Sequence, residues 1–145
     1  GIPEEDWQYG ENASWLYYLF PNVQLGGGGH DANLIKIYPD PKNPGRSITK
    51  VNHYFSQEFI DYVSQVPDDG KSAYDKDRNP SLDGVVEVFD TTIEQEDYLM
   101  GETTQKSAET GIVKEFIFGR NEPALHHYHN TFREALNLPP LEKVG

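Results

Sequence analysis

The 145-residue chain is long enough for one domain with a core of its own, and no repeat or boundary divides it. Its 36% apolar and 12% aromatic content is that of a globular protein, not a disordered one. A net charge of -12 repels phosphate backbones and argues against nucleic-acid binding, and the absence of cysteine excludes disulfides, Cys-type structural zinc and any iron–sulfur cluster held by these residues.

No run of ~18 apolar residues is present, so no membrane span is expected. The sequence contains no signal-peptide pattern. Asn12-Ala13-Ser14 then reads as a chance glycosylation match, and a cytosolic location is expected.

In chain order, residues 1 to 11 are acidic and irregular, with Trp7 and Tyr9 available to dock onto the domain. Ala13 to Phe20 is apolar on both faces, which predicts a central strand ended by Pro21-Asn22. Ala32 to Tyr38 predicts a second strand stopped by Pro39. Ser47 to Phe55 predicts a third, with Thr49, Val51, His53 and Phe55 on one face and Ile48 and Tyr54 on the other. Gly26 to Asp31 and Pro39 to Gly45 read as turn-rich links of an antiparallel meander. The glycine run lacks the following Lys-Ser/Thr of a phosphate loop and leads toward a strand.

Ser56 to Val66 predicts a helix with Ser56 as N-cap, followed by a polar loop over 67 to 80. Ser81 to Glu109 predicts one long helix, capped by Ser81 and closed by Gly111. Ile112 to Phe118 predicts a fourth strand. Asn121 predicts the cap of a last helix, Glu122 to Asn137, with Pro123 in its first turn. The element order gives an α+β fold, an antiparallel sheet packed on a long helix.

The long helix carries the main chemical candidate. At ~100° per residue, Val86, Ile93, Met100 and Thr104 fall within about 60° of Asp97, with Phe89 just outside. Asp97 therefore sits in the stripe that should face the core, where a carboxylate is costly unless paired, protonated or bound to a metal. Asp90 points within about 20° of it, Glu94 and Glu96 flank it, and the helix holds one basic residue, Lys106. Asp97 reads as a metal ligand or catalytic carboxylate, or as one more member of a solvated acidic face. Gly101, one turn on, leaves room for a ligand or makes a packing contact.

His126 and His129, with Glu122 a turn before, share a helical face at a spacing that can chelate zinc or iron. The alternative is a helix whose Leu125, Tyr128, Phe132 and Leu136 pack inward while His126, His127 and His129 pair with backbone or acids. His53 reads as a packed or hydrogen-bonded histidine, at most a pocket wall.

The stretches IEQEDYLMGETTQKSAETG and FGRNEPALHHYHNTFREAL, with LFPN at 19 to 22 and IYPDP at 37 to 41, resemble the C-terminal part of the catalytic domain of Rieske-type ring-hydroxylating oxygenases, large (alpha) subunit. The resemblance covers most of the chain and is best from about residue 86 to 137. It implies a helix-grip (START-like) domain and a mononuclear Fe(II) held by two histidines and one carboxylate. Open iron positions then serve O2 and an organic substrate, such as an aromatic ring. The carboxylate of the acidic ED segment matches Asp97. The resemblance further implies a [2Fe-2S] centre, an electron-transfer ferredoxin or reductase as partner, and a homo-oligomer, often a trimer.

This chain departs from the family in having no Cys and no H-x4-H pair. Both family features lie N-terminal to the matched region, and no initiator Met is present. The expectation is a C-terminal portion that is inactive and essentially iron-free alone, with Asp97 as one ligand of three. Trp15, Tyr17 and His53 of the sheet, with Ile93 and Met100 of the helix, are expected to line half of the substrate pocket. An uncovered sheet face and edge would favour self-association. Two other functions compete: a self-contained, non-enzymatic helix-grip domain binding a small hydrophobic ligand, and a small metallohydrolase built on the terminal histidines.

Overall fold

The computed structural model describes Pro3 and residues 13–143. Trp7, Tyr9 and Asn12 fall outside these residues. A four-stranded antiparallel sheet in the order β1-β2-β3-β4 is formed by β1 Ser14–Leu19, β2 Val23–Gly28, β3 Asp31–Asp40 and β4 Asn43–Phe55. The helices are α1 Gln57–Val63, α2 Leu82–Thr92, a π-helical segment Ile93–Tyr98, α3 Leu99–Glu109 and α4 Pro123–Ala135. The fold is α+β, as the element order predicts.

Cross-strand partners share a face, so the register divides the sheet in two. One face carries the rows Leu16–Gly26–Asn33–His53 and Tyr18–Gln24–Ile35–Val51, plus Phe55. The helices pack there. His53 meets Phe89 of α2 edge-on with ring centroids 5.1 Å apart, and Phe55 stacks on Phe59 of α1 at 5.9 Å. Tyr18 and Phe20 meet Tyr128 and Phe132 of α4 at 4.6 and 4.9 Å. Asn33 and Ile35, 6% and 8% exposed, are the buried pair among the described residues.

Four expectations for the sheet are corrected. β1 is an edge strand, not a central one: its two apolar faces arise because one meets α4 while Trp15 on the other lies over β2. Residues 23 to 28 form a strand where the glycine run reads as a link. The glycines make room for the neighbouring strand, since a Cβ on Gly27 would sit 2.8 Å from Trp15 Cζ2 and 2.7 Å from the Asp31 carbonyl oxygen. Ile112 to Phe118 forms no strand. β-propensity alone does not make a strand without a partner, and no described strand pairs with this segment. Pro39 to Gly45 proves shorter as a link than it reads, because β3 runs to Asp40 and β4 starts at Asn43.

The helix starts follow local chemistry. Ser56 Oγ accepts from the Phe59 amide at 3.2 Å, and Ser81 Oγ accepts from the Gly84 amide at 3.1 Å. The long helix ends before Gly111, whose φ of 67° lies in the region that favours glycine. Asn121 is not the cap of α4. Glu122 occupies that position, and its carboxylate turns back to accept from the Gly119 amide.

The Tyr18 hydroxyl donates to the Pro21 carbonyl at 2.6 Å and lies 3.4 Å from the Tyr128 hydroxyl. Burial, then the hydrogen bond with Tyr128, raises its pKa well above the ordinary tyrosine value. An acid whose folded pKa exceeds its unfolded one holds its proton in the native state while the unfolded chain releases it. Stability is therefore constant below pH ~10 and falls above it. Alkaline denaturation followed by circular dichroism is expected to show that fall, reduced in Tyr18→Phe. An unchanged alkaline profile in the variant would refute the assignment.

The chain exposes 12036 Å² of surface, against about 7,500 Å² expected for a compact folded monomer of its 16.5 kDa. The uncovered surface includes the sheet face opposite the helices, where Tyr17, Tyr54 and Ile48 are each about half exposed. It also includes the apolar segment 112–118.

Candidate functional site

Asp97 lies inside the π-helical segment Ile93–Tyr98. A π turn adds one residue to the 3.6-residue count and rotates the residues after it by roughly 100° relative to a uniform α-helix. The stripe expected from Val86 through Asp97 to Thr104 is therefore broken. Val86, Phe89 and Ile93 are half-buried against the sheet side, whereas Asp97, Met100 (64% exposed) and Thr104 are open. The expectation of a buried Asp97 is corrected for a second reason as well: every residue from Glu94 to Thr110 is exposed, so no described element covers this half of the helix. The choice of Asp97 over its acidic neighbours rests on the ED segment, because the π-helical insertion is shared with Glu94 and Glu96. Such insertions occur frequently at functional sites.

Asp90 has a partner. Its Oδ1 accepts from His53 Nε2 at 3.3 Å, the carboxylate half open and the imidazole side chain 14% exposed. With the Phe89 contact, this bond fixes α2 on β4 just before the π segment. His53 is thus a packed, hydrogen-bonded histidine on the helix-bearing face. Asn33, opposite it on β3, holds a buried Oδ1 with no partner among the described residues. Sequence reasoning missed Asn33; its only signal was a polar residue within the apolar run ANLIKIY.

The expected pocket wall is split by the register. Trp15 and Tyr17 project from the sheet face opposite His53, and Tyr17 is 55% exposed. They do not share the helix-bearing face with His53 and Ile93. The reason is the strand period of two: from Gly27 and Leu25, the partners of Trp15 and Tyr17, the pairing runs on to Ala32 and Leu34, not Asn33.

The terminal histidines serve α4 packing. His129 stacks on Phe118 with centroids 4.6 Å apart and meets Tyr128 edge-on at 5.2 Å; His126 meets Phe118 at 6.4 Å, and His127 is exposed. Among the described residues, no group of three or more His, Cys, Asp or Glu side chains could hold a metal ion. The donors present therefore do not fit a complete two-histidine, one-carboxylate site. Among the described residues, no helix is long and apolar enough to cross a membrane.

Residues 2–138 match the family model for the ring hydroxylating alpha subunit (catalytic domain). No curated protein and no solved structure matches the chain.

Proposed function

We propose a role that starts from the family to which this chain belongs, the ring-hydroxylating alpha subunits. In that role the chain supplies the long helix of a non-haem iron oxygenase of the Rieske type. The activity is O2-dependent hydroxylation of an organic substrate, an aromatic ring being the favoured class. Asp97 provides the carboxylate of the iron site, and both histidine ligands come from outside these residues. The [2Fe-2S] centre and a ferredoxin or reductase that feeds it belong to the rest of the assembly, a homo-oligomer. Ile93 and His53 are proposed as the sheet-side wall of the substrate pocket, with Met100 beyond the π segment.

The observation that carries this reading is Asp97 within a π-helical insertion of the one long helix, in a chain whose match to the catalytic domain spans residues 2–138. The chemistry of the donor set supports the division of labour. One exposed carboxylate does not hold Fe(II) usefully, and the chain contains no H-x4-H pair. Anaerobic Fe(II) titration of the 145-residue chain, followed by calorimetry, is expected to give no micromolar 1:1 binding. Micromolar binding lost in Asp97→Ala would show instead that these residues form a site unaided.

A further inference from the structure

We propose that the cleft between the 67–80 loop and the first turns of α2 binds a small, mostly apolar molecule bearing one neutral hydrogen-bond acceptor, such as an aromatic amide. The cleft has a volume of about 510 Å³, within the ~300–1,000 Å³ span of small-molecule sites. Val85, Val88 and Phe89 form its apolar wall. It reaches Thr92 and stops short of the π segment, so it is separate from Asp97 and does not depend on the role proposed for it.

Arg78 is the group that asks for a ligand. Its side chain is 15% exposed and lines the cleft. Of its five N–H donors, one reaches Ser81 Oγ from Nη2 at 3.0 Å. The Glu87 carboxylate is 3.9 Å from Nη1, beyond hydrogen-bond reach. Nε is buried with no acceptor among the described residues. The buried Nε lies out of reach of the cleft, whereas Nη1, which has no hydrogen-bond partner among the described residues and is not buried, can take an acceptor oxygen held there.

The arginine is also held in place. The guanidinium lies against Gly84, where a Cβ would sit 3.0 Å from Nη1. The loop that carries it is pinned by Asp69, which accepts from the Asn79 and Lys71 amides at 2.9 and 3.1 Å. Those bonds, the Asn79 one first, hold the Asp69 carboxyl below its usual range. Asn79 Nδ2 donates to the Pro67 carbonyl at 2.9 Å and closes the loop.

The charge balance selects the ligand. Asp31 and Asp75 line the same cleft and the Glu87 carboxylate is 3.9 Å from Arg78 Nη1, so three carboxylates accompany one cation. A further anion is repelled, while a neutral carbonyl keeps the hydrogen bond without the repulsion.

Benzamide, benzoate and toluene titrated into the chain, followed by the NMR methyl signals of Val85 and Val88, test the site. Benzamide is expected to shift both signals saturably, with toluene and benzoate about tenfold weaker or worse. Arg78→Lys keeps the charge but loses the planar fork, and should bring benzamide down to the toluene level. Val88→Phe fills the cleft and leaves Arg78 in place, so it carries the test if the lysine variant does not fold; binding should be lost. No saturable shift, benzamide no better than toluene, benzoate as tight as benzamide, or undiminished binding in either folded variant would each overturn the proposal.

Discussion

Replacing Asp97 by Ala in a complete subunit containing this chain is expected to remove its mononuclear iron almost entirely and to lower turnover by more than about 100-fold. Loss of a residue that merely supports a metal ligand costs ~10–100-fold, and loss of one ligand of three costs more. The neighbouring acids separate this from a general charge effect. Glu96→Ala, one residue away and pointing to a different side of the helix, should leave iron content unchanged. Asp90→Ala removes the acceptor of His53 Nε2 and should cost well under ~1 kcal/mol, because the Asp90 carboxylate is 56% exposed and solvent screens the pair. Metal analysis of the three variants by mass spectrometry decides the matter. Iron retained in Asp97→Ala, or lost in Glu96→Ala, would move the carboxylate role off Asp97.

The second large effect concerns the sheet. Ile35→Ala is expected to destabilise the chain by about 2–3 kcal/mol, the lower part of the range for a buried large-to-small change. Ile35 is the one buried hydrophobic residue among those described, in the row Tyr18–Gln24–Ile35–Val51 under the helices. Domain stabilities are only ~5–15 kcal/mol, so this loss is a large share of the total in a chain with so small a core. Ile112→Ala is the control. Ile112 is 82% exposed, and its truncation should stay within ~0.5 kcal/mol. Urea denaturation monitored by circular dichroism measures both. Equal midpoints for the two variants would mean that the Ile35 row is not the structural centre.

The residues that announced themselves in the sequence did so through short-range physics. Ser56 and Ser81 cap helices because a hydroxyl three residues before a free amide is sufficient. Val51, His53 and Phe55 face inward because a strand alternates. β2 was hidden because glycine has no side-chain pattern to read, and its reason for being glycine is Trp15 on another strand. Segment 112–118 misled in the opposite sense: its apolar residues suit a strand, but no described strand pairs with it. The ED segment was legible as a motif, whereas the stripe that seemed to support Asp97 was not, since a uniform ~100° step cannot register a π insertion.

By itself the sequence determined the α+β class, the Ser56 and Ser81 caps, the long acidic helix, and Asp97 as the carboxylate worth testing. Each depends on residues within a few positions of one another, or on a family pattern along the chain. Only the tertiary structure decided that β1 is an edge, that Trp15 and Tyr17 stand on the face opposite His53, that Asp90 is the partner of His53, and that Arg78 enters a cleft with its donors under-used. Those depend on cross-strand register and on which distant atoms meet. Neither composition nor periodicity encodes them, because a shift of one residue in pairing, or one extra residue in a helical turn, reverses them without altering the local pattern.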